Sequence, residues 1–238
     1  MKLDQIAHIH TPFKDKFGIP RQSGLVEALR GEIIFEEKYR NSQAIEGMDE
    51  FEYFWILWGF DDVRGEEPSA EFRPKVRPPK LGGNTYKGVF ATRSPFRPNP
   101  IGMSLVKLEY IEYDRIDGPV IYVSGIDMKD GTKIYDIKPY IPYLEAKPDA
   151  KGGFTNFAKE SKKIVQLSEN LTFEGLTETE QKNFMLNIDV VISLLELDPR
   201  PGYQDKPSRV YGMNYEDFNI KFTADNSCIE IVKIEKIK

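Results

Sequence analysis

The chain has 238 residues, 40% hydrophobic and 12% aromatic, which is enough for one large domain or a domain with a smaller companion and excludes a disordered polymer. A formal net charge of −5 excludes a protein coated in positive charge, but leaves room for a local basic patch, which is what a phosphate feels within a Debye length. The single cysteine, Cys228, excludes an intrachain disulfide, the opening MKLDQIAHIH lacks the apolar run of a signal peptide, and nowhere do about 18 uncharged apolar residues follow one another, so a soluble cytoplasmic protein with no membrane span is expected.

The first half reads as strands. Gln5 to His10 alternates apolar and polar residues before Pro12, and Gly31 to Phe35 is a second candidate. A short helix is expected from Gln43 to Met48. Tyr53 to Phe60 is nearly all apolar, and its aromatic bias predicts a strand buried on both faces. Lys87 to Thr92 and Gly102 to Leu108 predict two more strands, separated by a proline-rich turn from Arg93 to Pro100. Val120 to Ile126 and Ile134 to Ile137 each follow a turn signal containing glycine, at Gly118 and Gly131. Short strands at this spacing, with little helix between them, predict a β-barrel or a strongly curved sheet.

Composition changes near Lys147. Residues 147–155 carry Pro148, Gly152 and Gly153 and read as a linker, which divides the chain into domains at 1–147 and 148–238. Beyond it one helix is predicted from Thr177 to Leu197, with Thr177 or Thr179 as N-cap and Pro199 as its stop. Val210–Met213, Phe218–Phe222 and Cys228–Ile234 alternate like strands. The tail is therefore a small α+β domain, and the chain as a whole is mainly β.

Two local features point to chemistry. Between Glu71 and Glu109 there is no acidic residue, yet Arg73, Lys75, Arg77, Lys80, Lys87, Arg93, Arg97 and Lys107 all fall there. Such a segment can meet several phosphates, or it can be a solvated loop whose arginines pair elsewhere. The second feature is Gly88 to Ser104, GVFATRSPFRPNPIGMS, in which prolines fix the backbone while Arg93, Arg97 and Asn99 are displayed from it. Rigid display of polar groups suits a binding site, since nothing has to be frozen on binding.

That segment resembles the signature of the TsaA-like (TrmO) family, the tRNA N6-threonylcarbamoyladenosine methyltransferases. Further matches are TPFKDKFGIPRQ from Thr11 to Gln22, VRPPKLGGN from Val76 to Asn84, and DGTKIYDIKPYIP from Asp130 to Pro142. In the tail, DPRPG from Asp198 to Gly202 and YGMNYEDF from Tyr211 to Phe218 also match. The resemblance implies a β-barrel catalytic domain, a homodimer, S-adenosyl-L-methionine as methyl donor, and tRNA carrying threonylcarbamoyladenosine as substrate. By similarity the donor lies near Arg21, Gln22 and Ser23, Phe60 and Asp61, Arg93, Met103 and Ser104, and Asp130, Gly131, Thr132 and Lys133. The family often has histidine where Asp61 stands here. No glycine-rich turn of the dinucleotide-binding kind occurs, which agrees with a different cofactor fold.

Asp136 and Lys138 are charged residues within an apolar strand and share a face by the period of two, as a reactive pair or a structural ion pair. On that basis Asp136 is the candidate proton acceptor, and Arg97 and Asn99 are candidates for holding the modified base. Arg73, Lys75, Arg77, Lys80, Lys138 and Arg200 are the candidate tRNA contacts. Two other readings stay open at this stage: a non-catalytic RNA-binding module built on the basic segment, and a metal site at His8 and His10, for which no carboxylate cluster completes the coordination. The C-terminal domain is expected to grip tRNA or to seal a dimer.

Overall fold

The computed structural model describes residues 2–60, 73–78, 81, 84–157, 162–200 and 209–237. In chain order the strands are β1 (Ala7–His10), β2 (Arg30–Phe35), β3 (Tyr53–Gly59), β4 (Lys75–Val76), β5 (Lys87–Gly88), β6 (Ile101–Glu112), β7 (Val120–Ser124) and β8 (Thr132–Pro139). Six of them close a barrel in the order β1-β2-β7-β6-β3-β8, every pairing antiparallel, while β4 and β5 form a separate two-stranded ribbon. Closure leaves the barrel no free strand edge.

Alternation fills the barrel. Ile9, Ile33, Ile56, Val106, Ile121 and Ile134 are at most 1% exposed and form its core. Two glycines make room for rings. A Cβ on Gly102 would collide with the indole of Trp58, and one on Gly59 with the phenol of Tyr135. The strand expected to be buried on both faces is buried on one: Phe54, Ile56 and Trp58 point inward, Tyr53 is exposed, and Trp55 and Leu57 are half-covered outside. The apolar run is continuous because the outer face is itself partly roofed, with Trp55 against Tyr140 at 6.1 Å between ring centres.

After a one-turn helix, α1 (Pro142–Glu145), the tail builds a second unit from β9 (Ile164–Glu174), α2 (Glu178–Leu186), α3 (Ile188–Glu196), β10 (Tyr211–Tyr215), β11 (Phe218–Ala224) and β12 (Cys228–Lys236). Its sheet runs β10-β11-β12-β9, with β12 parallel to β9. Strand β9 is absent from the sequence reading, because its polar centre (Ser168, Glu169, Asn170) hides the alternation and it crosses a register shift. The single predicted helix is in fact two, broken at Asn187, where φ −110° and ψ 11° leave the helical region. Thr177 is the N-cap of α2, in a capping box with Glu180. Lys87 to Thr92 is strand only at Lys87–Gly88 and then turns through a 3-10 segment, and the helix expected over Gln43–Met48 is a 3-10 turn at Ser42–Ile45.

The long β1–β2 connection, residues 11–29, joins the two units. Phe13 is fully buried and meets Tyr215 edge to face at 6.1 Å, Lys14 pairs with Asp217 at 2.7 Å, and Asn214 donates to Asp15 at 2.7 Å. Glu216 N–H bonds to the Pro12 carbonyl at 2.8 Å. Gly18, at φ +99°, sits so close to Met213 that a Cβ there would lie 2.5 Å from its Cγ. Among the described residues, no helix is long and apolar enough to cross a membrane.

Candidate active site

Antiparallel winding brings the C-terminal ends of β1, β3 and β7 and the N-terminal ends of β2, β6 and β8 to one mouth of the barrel. The connections carrying Arg21–Ser23, Phe60, Arg93 and Asp130–Lys133 all open there. Direct bonds tie them together: Gly24 N–H to the Gly125 carbonyl at 2.8 Å, Phe60 N–H to the Pro100 carbonyl at 2.9 Å, and Asp130 N–H to the Phe13 carbonyl at 2.9 Å.

At this mouth, just past the end of β7, stands a carboxylate that the sequence motifs do not include, Asp127. The Ser104 hydroxyl donates to it at 2.5 Å and the Ser23 backbone N–H also bonds to it. Burial is the larger influence and pushes its pKa up to about 6, against the opposing pull of those donors and of the Arg93 charge. The Trp58 indole N–H in turn donates to the Ser104 oxygen at 2.8 Å, and the Trp58 ring lies 4.2 Å from that of Phe60. Arg93 donates to the Gln22 side-chain carbonyl, and the Ser23 hydroxyl accepts from Leu105 N–H at 3.1 Å. The sequence holds one hint of it, a lone acid between the apolar Ile126 and Met128 just past a strand, and the structure buries both neighbours to 1% exposure.

The structure thus gathers Gln22, Ser23, Phe60, Arg93 and Ser104 around Asp127. Its neighbour Asp130 has a pinning job as well, since its Oδ1 accepts from Thr11 N–H at 2.9 Å and lies 2.7 Å from His10 Nδ1. Gly131 supplies the turn there at φ +75°, and Thr132 and Lys133 continue into β8. Arg21 is exposed at the rim, beside a cleft of about 190 Å³ between residues 16–21 and the end of α3.

Other expected residues go elsewhere. Met103 is next to Ser104 but, one step along the strand, points out of the barrel and is 51% exposed. Asp136 also faces outward, across β3 from Met103, and pairs with Lys138 at 2.9 Å while accepting from Ile137 N–H. Arg97 directs one guanidinium nitrogen to the carbonyls of Thr92 (2.9 Å) and Ser94 (3.3 Å), bracing its own loop, and Asn99 is exposed on the same loop. Arg73, Lys75 and Arg77 are exposed around the β4–β5 ribbon. Arg200 corrects the expectation of a tRNA contact. It is 7% exposed, bonded twice to Asp198 (2.8 and 2.9 Å) and to the carbonyls of Ala224 and Asp225, so it stitches α3 to the sheet. His8 and His10 face out of the barrel towards the carboxylates of Glu36 and Asp130. Asp61 and Lys80 lie outside the described residues.

A methyl donor with a sulfonium and an α-amino acid end fits this chemistry. A part-buried carboxylate with a raised pKa gains from a nearby cation, aromatic faces favour one, and an exposed arginine beside a glutamine can take a carboxylate.

Comparison with known proteins agrees with that fit. Residues 8–146 match the model of the tRNA-methyltransferase O N-terminal domain, and residues 162–237 that of the TrmO C-terminal domain. The chain is 36% identical over 236 residues to a tRNA (adenine(37)-N6)-methyltransferase of Escherichia coli (strain K12), covering 98% of this chain and 97% of that protein. It is 38% identical over 216 residues to a putative S-adenosylmethionine-dependent methyltransferase, RcsF, of Pseudomonas aeruginosa, covering 90% and 89%. The crystal structure of TrmO from P. aeruginosa superimposes with a TM-score of 0.76 at 29% identity, covering 99% of this chain and 97% of that one. Two domain models in order, a full-length relative and a shared fold place this chain in the tRNA-methyltransferase O family.

Proposed function

We propose that this protein is an S-adenosylmethionine-dependent methyltransferase that modifies N6 of adenosine 37 in tRNA, with threonylcarbamoyladenosine as the form it accepts. The observation that carries the reading is the cluster where the loop connections meet: the part-buried Asp127 carboxylate bonded by the Ser104 hydroxyl at 2.5 Å, with the paired Arg93 and Gln22 beside it. A carboxylate fixed in that way is suited to face a cationic ligand.

S-adenosylmethionine, when bound, supplies an electrophilic methyl carbon on a positively charged sulfur. Asp127 balances that positive end, with Ser104 and the Ser23 N–H fixing its orientation. Arg93 and Gln22 hold the carboxylate of the amino-acid portion, and Phe60 with Trp58 presents an apolar wall that excludes water. The acceptor nitrogen is part of a urea-like group, so its proton has to leave as the new bond forms. Asp136, on the outer face of β8, is the proposed acceptor of that proton, with the tRNA base proposed to reach the mouth along the outer face of β6, β3 and β8. Asn99 and Arg97 border the approach. Ile101, Met103 and Tyr53 leave that face apolar and at least 36% exposed, and a second copy of the chain is the proposed cover for part of it. The enzyme is proposed to work in the cytoplasm as a homodimer.

The test is mass spectrometry of tRNA nucleosides after incubation with protein and isotopically labelled donor. Methylated threonylcarbamoyladenosine is the expected product, and an unlabelled nucleoside pool rejects the reading. A heat-shift titration adds a second readout, because a ligand of the folded state at about 100 times its Kd raises stability by about 2.7 kcal/mol. Asp136→Asn is expected to abolish single-turnover methylation, and sedimentation reports the dimer.

A further inference from the structure

Three ring–guanidinium pairs lie on the basic segment: Arg77 over Tyr86 at 4.6 Å, Arg73 over Phe96 at 4.8 Å, and Arg97 over Phe90 at 6.0 Å. The rings are outside the core. Phe90 is 71% exposed, Tyr86 52% and Phe96 41%. Single exposed apolar residues need no explanation, but these are held rigidly. Phe90 sits in the 3-10 turn Val89–Ala91, which is nailed down by Val89, 1% exposed, and by its N–H bond to the Pro74 carbonyl at 3.0 Å. The Thr92 hydroxyl closes that turn onto the Val89 carbonyl at 2.8 Å, and the bonds from Arg97 to the Thr92 and Ser94 carbonyls lock the next stretch of loop. Both phenyl rings are three residues from Arg93, at the mouth of the barrel.

We propose that Phe90 and Phe96 form a stacking platform for unpaired nucleobases of the tRNA loop beside the target adenosine, with Phe90 as the principal ring. The proposal rests on the function given above and names how the RNA is held. An unstacked base offers a flat π-face, and a pre-positioned aromatic ring takes it without any ordering cost. The flanking guanidinium groups supply positive charge for the phosphates on either side of such a base, so ring and charge recognise the same single strand. A protein partner would want a continuous apolar surface, and arginines interleave this one.

The experiment measures binding of an anticodon stem-loop RNA to wild type and to Phe90→Leu, Phe90→Ala and Phe90→Tyr, with donor affinity and melting temperature measured in parallel. Leucine keeps the apolar bulk and loses the π-face. The expected result is RNA binding roughly 5- to 100-fold weaker for Leu and Ala, near wild-type binding for Tyr, and unchanged donor affinity in all three. The salt dependence of RNA binding should keep its slope in Phe90→Leu, since no phosphate contact is removed, whereas Lys75→Ala should flatten it. Leu binding RNA as well as wild type overturns the platform while methylation by wild type leaves the proposed function standing. Failure of wild type to bind RNA or donor overturns both.

Discussion

At the scale of single residues, Asp127 decides most. Its carboxyl goes from an ordinary 3.8 to about 6 on folding, so the folded protein binds its proton more tightly than the unfolded chain. Stability is therefore lost as pH rises from about 4 to about 6, and the loss is constant above that, on the order of 2–3 kcal/mol. Asp127→Asn is expected to melt higher than wild type at pH 7, with the advantage vanishing near pH 4, and to bind the methyl donor far more weakly. Melting curves across that range and donor calorimetry check both halves, and a variant that is less stable at pH 7 contradicts the assignment. Arg200 makes the opposite prediction. Arg200→Met removes both close bonds to Asp198 and leaves it part-buried with only the 3.8 Å pairing to Lys163, so a loss of about 2–3 kcal/mol is expected in chemical denaturation, with no change in tRNA affinity once the variant is folded. The acid itself, Asp127, could be seen in an apolar stretch, but its partners could not, and the role of Arg200 was not legible in the sequence at all. Asp127 lies outside the quoted motif blocks, while Arg200 sits in a proline-flanked turn that looks solvent-facing, and only the fold shows the carbonyls of Ala224 and Asp225 closing over it.

Among the elements, the sequence was informative where periodicity was clean. The barrel strands at Ala7, Arg30, Tyr53, Ile101, Val120 and Thr132 fall where alternation and turn residues placed them. Strand β9 was missed because polar residues interrupt it, and the split between α2 and α3 because Asn187 looks like any polar helix position. The same limit explains the site: Arg93, Gln22, Ser23 and Ser104 could be named from motifs, but strand parity separates Ser104 from Met103 in a way no motif states. Two predictions belong here. Thr177→Ala removes one half of the capping box on α2 and is expected to cost about 1 kcal/mol, read by denaturant titration. Gly18→Ala places a methyl group against Met213 at a backbone φ of +99°, so the connection carrying Gln22 and Ser23 must shift. Donor affinity should drop at least tenfold while far-ultraviolet circular dichroism stays native, and an unchanged Kd would show that the connection is not held from the C-terminal side.

For the molecule as a whole, a net charge of −5 coexists with a basic stretch around β4 and β5. On the proposed function, attraction for tRNA is expected to be local and steep in salt. If three or four phosphates are met there, raising monovalent salt from about 50 to 200 mM should weaken binding roughly 10- to 100-fold, which filter binding can follow.

Strand β12 lies between β11 and β9, in the interior of the C-terminal sheet, and that sheet is what the connection from Pro12 to Gly18 rests on. Synthesis on the ribosome therefore finishes the barrel well before the support beneath that connection exists. A growing chain passes through a stage with every proposed site residue made and the contacts of Phe13, Lys14, Asp15 and Gly18 with Met213–Asp217 not yet formed, and on the proposed function competence is expected only with the strand that starts at Cys228. A premature stop anywhere upstream of that residue would leave a barrel without its keystone.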